Sequence, residues 1–391
     1  MNFFSFIEVD MQNFVFQNPT KLVFGAGQIA LLSELIDKDR KVLLTFGGGS
    51  VKRNGVYDQV KEALKDHKTV EFWGIEPNPK VETLRKAVAL GLEENVDLIL
   101  AVGGGSVLDG TKLIAAGIAM PEKDPWEIVK SGNADKQIAF ASVMTLPATG
   151  SEMNNGAVIS SLERNEKFAF RGAYPEFSIL DPQATYSLPA KQIANGLADI
   201  VVHCFEQYMT TTGQSRVLDR WAEGVIATVM EIAPLIRENQ TDYAVMSDYM
   251  YSATMALNNF IRMGVTQDWV THQIGHELTA LHGVDHGESL AIVYPGTAQV
   301  LREQKRDKLL QFGERVLGIK DGTEEQRIDA TIDGIEAFFK SLGLATRLSE
   351  KGIGMETIDL IQKRFNDRGV RLGEAKNVTG DVAREILMKR L

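Results

Sequence analysis

A single cysteine, Cys204, stands among 391 residues. It has no partner for an internal disulfide and excludes a zinc site built on thiolates. Such scarcity suits a reducing compartment. Long hydrophobic runs are also missing: none approaches the roughly 20 apolar residues of a membrane helix. Nor is there an excess of positive charge. Lys+Arg number 42 against 52 Asp+Glu, a net charge of −10 with pI ≈ 5.3. An acidic surface repels a phosphate backbone, which argues against nucleic acid as a partner. Any phosphate must therefore be caught locally, by backbone N–H groups and a few placed cations. The opening segment, Met1 to Asp10, is apolar but has no basic residue and carries two acids, so it does not read as a signal peptide; Met11 is a candidate natural start. These absences together lead to the expectation of a soluble, cytoplasmic protein with no membrane partner.

What is present is globular in proportion: 44% hydrophobic and 24% charged residues, enough length for two or three domains. Phe14-Val15-Phe16 begins the first strand-like pattern. Val42 to Thr45, Leu98 to Val102, Phe140 to Leu146 and Phe177 to Leu180 are apolar throughout, as strands buried on both faces are. Helical periodicity lies between them over 56–64, 81–92 and 107–119. This alternation predicts an α/β domain with a parallel sheet. After Pro189 glycine thins out, and stretches at 3.6-residue period cover 192–209, 215–237, 242–263, 302–316 and 324–342. Two domains are expected: an α/β domain over 1–188 and a helical one over 189–391.

Two glycine loops follow buried strands, Gly47-Gly48-Gly49-Ser50 and Gly103-Gly104-Gly105-Ser106. Glycines let a ligand approach the backbone, and the N–H groups that open a helix bind anions. Neither loop is the dinucleotide fingerprint, because Lys52 and Leu108 stand where its third glycine belongs. Two such loops in one α/β domain, with Ser106 as a candidate helix cap, favour phosphate binding over two mere turns. A third small-residue segment, Ala148-Thr149-Gly150-Ser151, follows the third strand. It lacks the nucleophile elbow of serine hydrolases.

Histidine is scarce, six in all, yet four fall within 272–286. Asp199 and His203 are four apart in a helical pattern, as are His272 and His276, so each pair shares a helix face. His286 follows on a loop. A carboxylate with three imidazoles, Asp199, His203, His272 and His286, suits a divalent metal. The competing reading is that these are hydrogen-bonded core histidines, and the clustering weighs against it. His67, in the charged run 65–68, reads as solvated, and His282 as an ordinary core residue. Ala280 stands where a metalloprotease helix would carry its second histidine, so that reading fails.

These residues resemble the iron-containing (group III) alcohol dehydrogenases, in the branch of butanol dehydrogenases and NADPH-dependent aldehyde reductases. The likeness runs nearly end to end, from Asn18-Pro19-Thr20-Lys21 through Gly103–Asp109 and Ala148–Asn155 to Asp199-x-x-x-His203, His272-x-x-x-His276 and His286-Gly287. The resemblance implies a dehydroquinate-synthase-like fold, a Rossmann-like domain followed by an all-α domain, in a homodimer. It implies one divalent metal, Fe²⁺ or Zn²⁺, on Asp199, His203, His272 and His286, with His276 near the nicotinamide as proton relay. It further implies a cofactor bound by Gly47, Gly48, Gly49, Ser50, Gly104, Gly105, Ser106, Asp109, Thr145, Thr149, Asn154 and Lys167. The expected reaction is hydride transfer between NAD(P)H and small aldehydes such as butanal. Gly48 stands at the position of the family's NAD-selecting aspartate, and with Ser50, Lys52 and Arg53 close by, NADP(H) is expected to be preferred, NAD(H) being possible. A lyase of the dehydroquinate synthase kind and a metallohydrolase are the alternatives. The lyase would need a basic pocket, whereas Ile200, Val201, Val202, Trp269, Val270 and Leu278 flank the ligands; the hydrolase would leave both glycine loops without a task.

Overall fold

A computed structural model describes residues 11–210 and 215–391; the reading of Met1 to Asp10 lies outside them. The chain forms two compact units. One comprises Gln17–Gly196 and Pro234–Asn258. The other comprises 11–16, Leu197–Ala233 without 211–214, and Asn259–Leu391.

In the first unit, six strands form a parallel sheet: β1 (Lys21–Phe24), β2 (Lys41–Phe46), β3 (Lys68–Phe72), β4 (Leu98–Gly104), β5 (Ala139–Leu146) and β8 (Phe177–Leu180). Their spatial order is β1-β8-β5-β4-β2-β3. The central strands β2, β4 and β5 are buried on both faces, as continuous apolar runs require. The edge strand β3 (Lys-Thr-Val-Glu-Phe) is half-exposed, so its polar residues hide it from a search for apolar runs. Strands β6 (Gly156–Ser161) and β7 (Glu166–Arg171) make a separate antiparallel hairpin. From β2 the chain winds outward to β3, then returns past β2 to β4. The sheet therefore reverses its winding between β2 and β4, whose carboxyl ends are level, Phe46 opposite Val102. Ligands of open α/β sheets bind at such a point, and both glycine loops leave from it.

Several expectations are corrected. Phe14 to Phe16 form no strand; Phe16 packs edge-on to Phe260 at 5.9 Å, and the first strand starts at Lys21. The helix expected over 242–263 is Tyr243–Ala256, capped by Asp242 and followed by turns. The one expected from 302 starts at Arg306. Ser106 is not a cap: the helix Gly105–Ala119 starts one residue earlier, with Gly104 at its N-cap, and Ser106 Oγ accepts from Asn78 N at 3.3 Å. His67 is not solvated but buried, its Nε2 2.9 Å from the Ile36 carbonyl. The compact units also differ from one break at 188/189, since Pro234–Asn258 belongs with the sheet.

The second unit is helical. The helices Val270–His282 and His286–Val300 pack around Gly275, where a Cβ would lie 2.9 Å from Ser289 Oγ. That close approach brings His272 and His286 near each other. The core there is built on Ile274, Leu278, Ile292, Val293, Ile358 and Ile386. Among the described residues, no helix is long and apolar enough to cross a membrane.

Candidate active site

The second unit holds the metal-type cluster. Asp199 and His203 lie on the helix Ala190–Tyr208, and His272 on the helix Val270–His282. His286, expected on a loop, opens the helix His286–Val300. Asp199 Oδ1 sits 3.4 Å from His203 Nε2, 3.6 Å from His272 Nε2 and 3.6 Å from His286 Nε2. These separations are long for hydrogen bonds. Four donors at ~2.1 Å from one tetrahedral ion would stand about 3.4 Å apart, close to the three distances from Asp199 Oδ1; the donor atoms of Asp199, His272 and His286 also lie within 4.8 Å of one another. Asp199 Oδ1 and His272 Nε2 are buried without a hydrogen-bond partner, and orphaned buried polar atoms are costly. Three imidazoles and one carboxylate thus fit a borderline divalent ion such as Fe²⁺ or Zn²⁺. The Asp199 and His203 side chains are nearly inaccessible, while that of His286 is 23% exposed, so the cluster opens at His286.

A residue that the sequence reading did not single out completes the cluster. Glu206 Oε2 accepts from His272 Nδ1 at 2.5 Å, and Oε1 accepts from Thr271 N at 2.6 Å. A proton held on Nδ1 leaves the Nε2 lone pair for a metal. Burial lowers the His272 pKa, but the Glu206 and Asp199 carboxylates outweigh it and push it up to about 9. Glu206 lies seven residues after Asp199, two helical turns along the same face; that spacing was the available signal. Trp269, at φ 63°, precedes the His272 helix and turns its ring edge-on toward His272 at 5.1 Å. His276 lies one turn beyond His272, its ring 5.4 Å from that of His286. Its neighbour Glu277 points elsewhere, pairing with Arg364 at 2.7 Å and Arg368 at 2.6 Å. His282, expected in the core, is instead exposed at the end of its helix, where its Nε2 meets Thr357 Oγ1 at 2.8 Å.

The first unit gathers the expected cofactor residues at the winding reversal. After β2, Gly48 and Ser50 are exposed, a Cβ on Gly48 would meet nothing within 4 Å, and Gly49 takes φ 93°. This leaves open backbone for a ligand. After β4, the loop is packed instead: a Cβ on Gly105 would lie 2.4 Å from Thr149 Oγ1, and one on Gly104 2.8 Å from Leu146 Cβ. These two glycines are therefore required by the packing of the third loop alone. Thr145 is buried near the end of β5. Asp109 spends both oxygens internally, on Ser151 Oγ at 2.7 Å and Val158 N at 2.8 Å. Asn154 Oδ1 accepts from Lys112 Nζ at 3.1 Å and Gly156 N at 3.0 Å, while its Nδ2 donates to the Leu257 carbonyl at 2.9 Å. Both residues shape the loops. Lys112, fully buried with its pKa lowered to about 8 by burial, donates to Ser151 Oγ and the Gly156 carbonyl, each at 2.7 Å. Lys167 Nζ donates to Asn78 Oδ1 at 2.9 Å, and through Asn78 the hairpin is tied to Ser106. Loops fixed this way, with helix-start N–H groups facing the sheet's carboxyl end, fit a dinucleotide.

Comparison with known proteins agrees with this geometry. Residues 19–182 match the iron-containing alcohol dehydrogenase family profile, and residues 193–389 match the C-terminal profile of the Fe-containing alcohol dehydrogenase family. The chain is 48% identical over 382 residues to the NADPH-dependent aldehyde reductase YqhD of Escherichia coli (strain K12), covering 96% of this chain and 99% of that one. It is 40% identical over 389 residues to the probable NADH-dependent butanol dehydrogenase 1 of Bacillus subtilis (strain 168), covering 97% and 100%. The crystal structure of E. coli K-12 YqhD superposes with a TM-score of 0.96 at 47% identity, over 98% of this chain and 100% of that one. That of NADH-dependent butanol dehydrogenase A from Thermotoga maritima gives 0.92 at 35% identity, over 97% and 99%. The chain belongs to the iron-containing alcohol dehydrogenase family, in its aldehyde reductase and butanol dehydrogenase branch, and is an NAD(P)-dependent oxidoreductase that uses a divalent metal.

Proposed function

We propose that the protein reduces small aldehydes such as butanal to primary alcohols, preferring NADPH to NADH, with a divalent ion, iron by family, held by Asp199, His203, His272 and His286. The observation that carries this is the convergence of three imidazole Nε2 atoms on the orphaned Asp199 Oδ1. The ion supplies Lewis-acid polarisation of the carbonyl, and the nicotinamide supplies hydride. The chain's own residues do the rest. Asp199 offsets cationic charge at the centre. Glu206 holds the His272 tautomer. Val202 and Val270, beside the ligands in sequence, are fully buried and apolar, which suits a weakly polar substrate. His276 passes a proton from a ring nitrogen to the product oxygen, a task suited to an imidazole at neutral pH.

The exposed Gly48 and Ser50, without an acid beside them, admit a 2′-phosphate, and YqhD, the relative described as NADPH-dependent, supports that preference. Gly47, Gly49, Gly104, Gly105, Ser106, Thr145, Thr149 and Lys167 complete the cofactor site in this reading, with Asp109 and Asn154 behind it. We assign the protein to the cytoplasm, on the scarcity of cysteine and the burial of Cys204. We further assign it a homodimeric state, supported by the exposed apolar residues Phe14, Val15, Phe16, Val217 and Trp221 of the helical unit. Neither the lyase nor the metallohydrolase has an observation in its favour. The test mixes anaerobically purified, iron-loaded protein with butanal and either cofactor. Loss of nicotinamide absorbance, faster with NADPH, is the expected result; no turnover with either cofactor would overturn the reading.

A further inference from the structure

Beside the open glycine loop lies a cluster that the reaction does not account for. Trp73 directly follows β3, and the backbone around it is stitched to the loop: Gly74 N donates to the Gly47 carbonyl at 3.3 Å, and Ile75 N to the Phe46 carbonyl at 3.1 Å. Phe46 stacks on the Trp73 ring at 4.1 Å and 14°, and Tyr57 meets it at 5.6 Å. Lys52, three residues past Gly49, places its ammonium 4.1 Å from the Trp73 ring centroid and 5.2 Å from that of Tyr57. One carboxylate fixes both rings. Tyr57 Oη donates to Glu71 Oε1 at 3.1 Å, Trp73 Nε1 donates to Glu71 Oε2 at 2.9 Å, and Lys61 pairs with Glu71 at 3.0 Å. The Trp73 seat is therefore built and anchored.

We propose that Trp73 and Tyr57 are positioning residues that seat the Lys52 ammonium at the carboxyl end of β2, where it recognises the 2′-phosphate of NADP(H). This rests on the reading of the Gly47–Ser50 loop as the adenosine-ribose site. An exposed lysine samples many rotamers, and ordering it costs affinity. A ring face attracts the ammonium electrostatically while leaving N–H donors free for an anion. On a chain of net charge −10, a cation held at the ribose edge answers the local need that the overall charge works against. The open backbone at Gly48 makes the site permissive; the seated lysine makes it selective.

The test uses nucleotide fragments, so it is independent of metal and turnover. Binding of 2′,5′-ADP and of 5′-AMP is measured by calorimetry on the full-length protein and on K52Q, W73L, W73F and the double variant K52Q/W73L. Wild type is expected to prefer 2′,5′-ADP. K52Q should weaken it about tenfold and W73L roughly three- to fivefold, with 5′-AMP unmoved in both. W73F should restore most of the loss, and the double variant should fall no further than K52Q. Equal weakening of both nucleotides by W73L, or independent effects of K52Q and W73L, would overturn the proposal by making Trp73 a packing residue only. Tight 5′-AMP binding with no preference for 2′,5′-ADP would also overturn it while leaving the loop reading intact. Failure of wild type to bind either nucleotide would instead overturn the loop reading itself.

Discussion

At the scale of single residues, the clearest consequence concerns four imidazoles of unequal roles. His272 lies against Asp199 Oδ1 and is backed by Glu206, whereas His276, one turn on, faces the ring of His286. His272→Ala should strip the metal and the activity together, while His276→Ala should keep the metal and lose 10²- to 10⁴-fold in rate, the span of general acid–base catalysis. Metal content by elemental analysis, read beside kcat, separates the two; metal loss in His276→Ala would exchange their roles. Glu206→Gln should lower metal affinity about 10- to 100-fold with the ligands untouched, as loss of a carboxylate behind a ligating histidine does. Unchanged affinity by competition with a chelator would return Glu206 to a purely structural task. Gly48→Asp should move the kcat/KM ratio of NADPH to NADH toward NADH, because like charges at ~4 Å repel by ~1–4 kcal/mol between bulk water and a protein surface. The Asp199/His203 and His272/His276 spacings were legible in the sequence, since a period of four fixes a helix face without any tertiary information. Glu206 was not, because an acid on a helix reads as an ordinary solvated charge until the partner imidazole, sixty-six residues away, is known.

At the scale of elements, what was legible followed the same logic. Strands buried on both faces, β2, β4 and β5, announce themselves by composition, whereas β3 and the β6–β7 hairpin present a polar face and do not. The start of the helix Gly105–Ala119 was misplaced because Ser106 serves Asn78 and not its own helix, a choice made by tertiary packing. One element-level contact reaches the metal-bearing helix from afar. Arg390, fully buried, donates through Nε to the Ile292 carbonyl of the helix His286–Val300 at 3.0 Å and pairs with Glu336 of the helix Glu324–Ser341 at 2.9 Å. Burial raises the Glu336 pKa, but hydrogen bonds from Arg390, Lys340 and Thr346 outweigh it and hold the carboxyl at about 2. A depressed folded pKa contributes stability that is present above the ordinary carboxylate value, about 4.3, and is lost as pH falls through about 2. Glu336→Gln leaves the guanidinium buried and unpaired, so it should cost ~3–5 kcal/mol at pH 7. The gap between wild type and variant should narrow between pH 4.5 and 2. Urea unfolding at several pH values measures it, and a gap independent of pH would show that Glu336 contributes through packing and not through charge.

At the scale of the whole molecule, the expected break at 188/189 and the compact units part company over Pro234–Asn258. Apart from Pro234 at its start, nothing local marks that segment, which is largely helical like its neighbours. Its allegiance is set by long-range bonds to the sheet unit: Gln240 Nε2 to the Leu188 carbonyl at 2.8 Å, Tyr249 Oη to the Pro147 carbonyl at 2.7 Å, Thr254 Oγ1 to Glu152 Oε1 at 2.5 Å. The division falls at Pro234, inside the helix Arg216–Glu238, where proline removes a backbone donor. The two chemistries are divided in the same way. Every metal-type residue lies in the helical unit and every expected cofactor residue in the sheet unit. A ligand that binds only the native state stabilises it by about 2.7 kcal/mol at a hundredfold excess over Kd, and the part that resists opening is the part that holds the ligand. Metal added to apoprotein should therefore slow amide exchange chiefly over 199–208, 270–282 and 286–300. NADP⁺ added to metal-free protein should slow it chiefly over 46–53 and 102–112. Hydrogen exchange read by mass spectrometry on the two singly loaded forms makes the comparison directly. Protection by metal over 46–53, or by nucleotide over 270–282 without metal, would show that the two units open together and that binding in one is felt as stability in the other.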